Sequence, residues 1–329
     1  MGSNISTLIR RYWLLFFFII VFVFMAIFKI SFHDIWMAIS PLELWQLCLL
    51  LSIFLLISLF QILARKYLLY SLFSPAKLKN LILIHFSSMA AHYSTPAKIG
   101  FPLAVYLLNR LDNVPYVSGA AVILIELIVS TGICGIIALI GSFFYFVGTT
   151  KTLVVASLCF LSLIAIALFI LFLFLKKTPK DRRLYRFIRD THQAFTHIAL
   201  LHLIIFIFMR VFIQLLGGIN LFLLCLFFSS ELSLLQAIVA GSSAFFLGAI
   251  SMVPMGLGVR EASMLFYLHH MGISHEIGLS IVTIQRLLFT GSAFVLGAIF
   301  GAILGVKNIK LDSAQEKKNE PVMGSGIVD

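Results

Sequence analysis

Apolar runs of about twenty residues recur along this chain with almost no charge inside them, from Tyr12–Ile30 at one end to a long stretch closing near 306 at the other. A helix crossing a ~30 Å hydrocarbon core needs about 20 such residues. Repeated this often, runs of this kind leave too little polar sequence to cover a water-soluble surface. Only 11% of the 329 residues are charged and 61% are hydrophobic, with a mean hydropathy of +1.09. A typical soluble domain is about 25% charged. The expected fold class is an all-α polytopic membrane protein with about 7–8 transmembrane helices.

Clear crossings are expected at about 12–30, 42–64, 116–148, 152–175, 195–216 and 275–306, with a shorter one near 218–231. Two further apolar segments are interrupted. Asn80 to Arg110 is broken by Thr95-Pro96-Ala97-Lys98-Ile99-Gly100-Phe101-Pro102, and Ser233 to Met271 by Val253-Pro254-Met255-Gly256-Leu257-Gly258-Val259-Arg260-Glu261. Proline removes a backbone donor and glycine permits unusual backbone angles, so each helix should stop at its break. Irregular backbone at membrane depth survives only when buried in protein or lining a wet cavity. Each segment is therefore expected to be a re-entrant helical hairpin.

The formal net charge is +11, but Lys and Arg fall in short loops between apolar runs, which argues against nucleic acid as a partner. Basic clusters at Arg10 and Arg11, at Arg65, Lys66, Lys77 and Lys79, and at Lys176 to Arg189 mark the cytoplasmic side. All three agree, with a cytoplasmic N-terminus, if 80–110 enters and leaves by one face. With two crossings in 195–231 and a second re-entrant hairpin, Lys307 and Lys310 would lie outside, whereas an extra crossing within 218–271 would bring them inside. The segment 180–195 has the basic and apolar mix of an interfacial helix, and 311–329 is expected to be a disordered polar tail. The first run follows Arg10-Arg11 as a signal peptide would, yet it has no small-residue cleavage pattern and is expected to be an uncleaved crossing.

The two breaks are related. Pro96-x-x-x-Gly100 matches Pro254-x-x-x-Gly258, and each leads through a short helix into a long apolar segment. Gly119 and Gly278 near the starts of those segments keep nearly the offset of the prolines. Domain organisation is then a single transmembrane unit, 1–310, with repeat 1 at about 12–175 and repeat 2 at about 192–306. Ionisable residues at membrane depth cost roughly 2.5–3.5 kcal/mol each and mark function or pairing. The candidates here are Lys98, Glu126, Arg210, Arg260, Glu261 and Arg286. Arg260 could hold a phosphate bidentately. Pairing of Glu126 or Glu261 with Arg210 or Arg286 would instead be structural.

Cys48, Cys134, Cys159 and Cys225 form no close pair, and His192, His197 and His202 lack ligand spacing, so neither a metal site nor a cofactor is expected. His85 and His92 share one face of the first hairpin, as packing residues or headgroup contacts. Gly297, Gly301 and Gly305 form a small-residue stripe suited to close helix packing. There is no Ser-His-Asp arrangement, P-loop or dinucleotide fingerprint.

The run Val253 to Ala262, the following Gly272 and Arg286 resemble the signature of the lysylphosphatidylglycerol synthase transmembrane family, also called the flippase-like domain family. The stretch with Pro96, Gly100 and Glu126 is similar to that family's first hairpin. Phe101-Pro102 departs from it, since members commonly carry further polar residues there, and this weakens the carry-over of substrate contact to that half. The resemblance covers about residues 10–306. It implies a cell-membrane protein, inner or plasma membrane, that moves an aminoacylated, glycosylated or otherwise polar lipid between leaflets. Pro254, Gly256, Gly258, Arg260, Glu261 and Arg286 would be its functional core. The aminoacyltransferase domain of the full-length synthases follows the membrane part, and the residues after 306 are too few for one, so lipid synthesis is not expected. The alternatives are a non-transporting membrane partner of a lipid- or glycan-modifying enzyme, and an intramembrane transferase using Glu261 as general base.

Overall fold

A computed structural model describes residues 40–94, 100–145, 198–251, 253 and 256–319, together with Arg189 and Thr191. Among these residues the chain is all-α. Four helical rods are long and apolar enough to cross a membrane: Leu44–Ser71 (α1), Tyr116–Tyr145 (α4), Leu200–Phe227 (α5) and the run His275–Gly305. The last consists of α8 (His275–Arg286), a π-helical turn (Leu287–Gly291) and the start of α9 (Ser292–Asn319). Their outward faces carry Leu55, Leu59, Ile136, Ile140, Phe208, Leu215, Ile299 and Ile303, all exposed. Apolar side chains displayed around the whole outer face suit hydrocarbon as the solvent.

The two interrupted segments form helix–break–helix hairpins. Leu78–Ser94 (α2) and Gly100–Asp112 (α3) make the first, Leu234–Ile250 (α6) and Val259–His270 (α7) the second. In the first, the open ends meet: Asn80 Nδ2 donates to Asp112 Oδ1 at 2.7 Å, and the Lys77 amide to Asp112 Oδ2 at 3.3 Å. The second closes through apolar contact, with Leu232 before α6 packed among Leu268 and Ile273 after it. Asp112→Ala should therefore loosen the first hairpin by about 1 kcal/mol, the usual net worth of such bonds. Thermal unfolding in detergent checks it, and a midpoint unchanged from wild type would show that packing alone closes the hairpin.

Packing between the halves is reciprocal. Helix α2 lies along α9 and α6 lies along α4, while α1 packs on α5. Small residues permit both crossings. A Cβ on Gly297 of α9 would stand 2.2 Å from Ala90 Cβ of α2, and one on Gly141 of α4 would stand 2.2 Å from Val239 of α6. Of the stripe expected at Gly297, Gly301 and Gly305, Gly297 makes a close contact, while a Cβ at Gly305 would meet nothing among the described residues. The apolar interior divides accordingly. One cluster joins α1 to α4 with Phe206 and Leu304; another joins α5 to α8 with Leu42 and Leu50. Phe289 of the π-turn touches both and stacks edge-on against Phe54 at 5.3 Å.

Three expectations need correction. The separate crossing near 218–231 does not exist, because α5 runs unbroken to Phe227. Gly217-Gly218 was the apparent boundary, yet glycine within a helix costs only about 1 kcal/mol, and Gly218 makes room for Ile238 of α6. Helix α1 does not stop at 64 but continues to Ser71, so Arg65 is a helix residue and not a loop charge. Finally, α9 extends through Asn319 into the segment expected to be disordered from 311. Ala314-Gln315-Glu316-Lys317-Lys318 are good helix formers and prolong a helix already nucleated. The expected crossings 12–30 and 152–175, and nearly all of the 180–195 segment, lie outside the described residues.

Candidate functional site

Where the two halves meet, the seam is polar. Arg65 of α1 donates from Nε to Glu126 Oε1 of α4 at 3.0 Å and from Nη2 to Oε2 at 2.8 Å, a two-pronged pair in which both residues are under one-tenth exposed. Arg210 of α5 donates from Nε to Ser130 Oγ of α4 at 2.8 Å, and again from Nη2. Its guanidinium also covers the Phe206 ring at 5.8 Å. Glu126 and Arg210 each stand ten residues into their helices, about 15 Å along the axis at 1.5 Å per residue, half of a ~30 Å core.

These groups line a cavity of about 200 Å³ together with His85, His92 and Tyr93 of α2, Phe101 and Ala104 of α3, Gly248 of α6, Gly256 of the second break and Arg260 of α7. A second space of about 130 Å³ shares Gln61, Tyr93, Ser130, Arg210, Phe245 and Arg260 with it and reaches on to Gln214, Gln285 and Phe289. The helix ends on either side of the first break, and Gly256 of the second, therefore border one interior space that holds Arg210 and Arg260.

The two breaks use their glycines differently. A Cβ on Gly100 would lie 2.2 Å from the Ser88 carbonyl oxygen, so the start of α3 sits directly on the backbone of α2. Gly258, in the matching position, meets nothing but has φ +77°, in the left-handed region, as does Gly256 at +64°. Any side chain at either would be strained. This backbone turns α7 so that Arg260 enters the cavity while Glu261, in the first turn where a carboxylate suits the helix dipole, faces α8.

Glu261 pairs there with Arg286, Oε1 to Nε at 3.0 Å, in a side space of about 10 Å³ shared with Arg260 and Gln285. Arg260 makes no ion pair with any carboxylate among the described residues and instead covers the Phe245 ring at 6.0 Å.

Of the residues singled out from sequence, Glu126, Arg210, Arg260, Gly256 and the segment just after Gly100 border one cavity, and Glu261 with Arg286 borders the adjoining space. Pro96, Lys98 and Pro254 lie outside the described residues. Glu126 pairs with Arg65 and not with Arg210 or Arg286. Arg65 and Gln61 were overlooked because the charge was taken as the end of a crossing. A signal was present: Gln61/Arg65, Glu126/Ser130 and Arg210/Gln214 are polar pairs four residues apart, a spacing that puts each pair on one helix face. The segment between Gly100 and Asp112 contributes Phe101 and Ala104, apolar as the departure at Phe101-Pro102 implies.

The arrangement can bind an anion: Arg65, Arg210 and Arg260 converge with hydrogen-bonding side chains on one partly open space between the helices. Compared with known protein families, the chain matches the model described as lysylphosphatidylglycerol synthase TM region over residues 12–301. No curated protein matches it.

Proposed function

Because this chain belongs to the lysylphosphatidylglycerol synthase transmembrane family, we propose that it moves an anionic or otherwise polar lipid between leaflets, holding the headgroup in the cavity between the two hairpins. One observation carries this: the helices flanking the first break, through His92, Tyr93 and Phe101, and Gly256 of the second break, far apart in sequence, line the same space with Arg210 and Arg260 on its wall. At about 200 Å³ that space is below the usual 300–1,000 Å³ of small-molecule sites. It suits a headgroup, with the acyl chains left in lipid.

The hairpins are read as re-entrant. Helices α3 and α7 have 13 and 12 residues, about 20 Å or less at 1.5 Å per residue, too short to cross alone. The recurrence of long helix, hairpin and long helix, with each hairpin packed on the other half's long helix, supports a duplicated, inverted-repeat architecture of the kind transporters use to place a site at the midplane.

Topology follows from the same account. With α5 a single helix, one crossing is removed from the count, and the parity of the chain changes. If Arg10, Arg11 and the 65–79 and 176–189 clusters are cytoplasmic, Lys307 and Lys310 now fall on that side too. The hairpins then enter from opposite faces.

In proteoliposomes carrying an anionic phospholipid with a fluorescent headgroup, quenching from outside should report exchange between leaflets by the wild-type protein. Arg260→Ala should slow it at least tenfold, and Glu261→Ala should slow it by releasing Arg286. Rates unchanged in both variants would remove this site from the function.

Less supports the transferase alternative, whose candidate base Glu261 pairs with Arg286 and borders a space of only about 10 Å³.

A further inference from the structure

Building on the headgroup cavity proposed above, we infer that its ligand is a phosphate monoester dianion, with two negative charges, rather than a phosphodiester with one. The charges that the described residues place on the wall set this number. Arg65 and Glu126 cancel, and so do Glu261 and Arg286 in the side space. Arg210 and Arg260 remain, and neither forms an ion pair with a carboxylate among the described residues. Ser130 and the Phe206 and Phe245 rings orient these cations without neutralising them. Uncompensated charge at membrane depth is costly. A monoanion would leave one arginine bare, whereas a dianion balances both.

Donor geometry supports the same class independently. Arg65 Nη1 and His85 Nε2 are buried without a hydrogen-bond partner, and both residues line the cavity. The Arg65 nitrogen can only donate, and a buried donor demands an acceptor. One unmet donor thus stands on α1, beside the cavity that the guanidiniums of α5 and α7 also line. A monoester presents three terminal oxygens and about two charges above its second pKa near 6. A diester presents two terminal oxygens and one charge, and cannot balance both Arg210 and Arg260.

The test uses the full chain, purified in an uncharged detergent at pH 8, with binding measured by native mass spectrometry. The probes are dodecyl phosphate, dodecyl methyl phosphate and dodecylphosphocholine, which share one tail and carry net charges of about −2, −1 and zero. Wild type should prefer dodecyl phosphate to its methyl ester at least tenfold. Arg210→Gln and Arg260→Gln should each bring that ratio below about threefold, while Arg260→Lys, which keeps the charge, should retain it.

Equal or better binding of the methyl ester or phosphocholine by wild type overturns the inference, and this holds even if the variants fail to fold. Displacement of dodecyl phosphate by inorganic phosphate as effectively as by itself would keep the dianion but overturn its lipid source. Arg260-dependent translocation of a diester lipid without monoester preference would overturn the charge assignment alone. Absence of both lipid binding and translocation would overturn the translocator proposal with it.

Discussion

Glu126→Ala protein should unfold in detergent with a stability lower by about 3–5 kcal/mol, the cost of leaving one member of a buried ion pair without its partner. Arg65 would then keep a guanidinium under one-tenth exposed against the seam between α1 and α4, its main acceptors gone. The pair itself is not expected to add much net stability, since desolvation of two charges offsets most of their attraction. Arg65→Met combined with Glu126→Leu should therefore recover most of the loss, as replacement by apolar side chains of similar size is often neutral or better. Thermal or denaturant unfolding of wild type, Arg65→Met, Glu126→Leu and the double variant completes the cycle. A single variant as stable as wild type would mean that Arg65 reaches water or another acceptor when Glu126 is gone.

The second large effect is steric. Gly297→Leu should cost at least as much as typical overpacking, about 1–3 kcal/mol, and should reduce the yield of monodisperse protein. The obstacles to any side chain there are Ala90 Cβ at 2.2 Å and the Phe86 carbonyl oxygen at 2.9 Å, neither of which can rotate away. Helices α2 and α9 would have to part, and with them the wall of the cavity that α2 supplies. Gly305→Leu, two turns further along the same helix and without a neighbour within 4 Å among the described residues, should leave yield and stability near wild type. Ala90→Gly should relieve part of the damage of Gly297→Ala by removing the nearer obstacle. Equal behaviour of the leucine variants at 297 and 305 on size-exclusion chromatography would disprove the close approach of α2 to α9.

Both outcomes bear on how the site is built. The Arg65–Glu126 pair fixes α1 to α4 at the floor of the cavity, while Gly297 and Gly141 bring each hairpin against the other half's long helix. The seam is polar because two apolar clusters meet there without merging. The cations that the hairpins and long helices carry are thus kept together, away from lipid.

The sequence by itself determined the membrane environment, the α-helical class and the two places where helices are interrupted. These are local properties: hydrophobic length, proline and glycine act on their own segment of chain, wherever that segment packs. The family resemblance was legible for the same reason, in the run around Gly256, Gly258, Arg260 and Glu261. Whether Gly217-Gly218 ended a helix was not legible, because a glycine pair is compatible with both a turn and a close helix contact, and only Ile238 across the interface selects between them. Partner choice among charges was equally hidden. Arg65 at a helix end and Arg65 in a buried pair are the same letters, and Glu126 had several arginines to choose from. Tertiary structure decided by distance, since an ion pair in a low-dielectric interior needs atoms within a few ångströms, and that proximity is a property of how α1, α4, α5 and α7 converge.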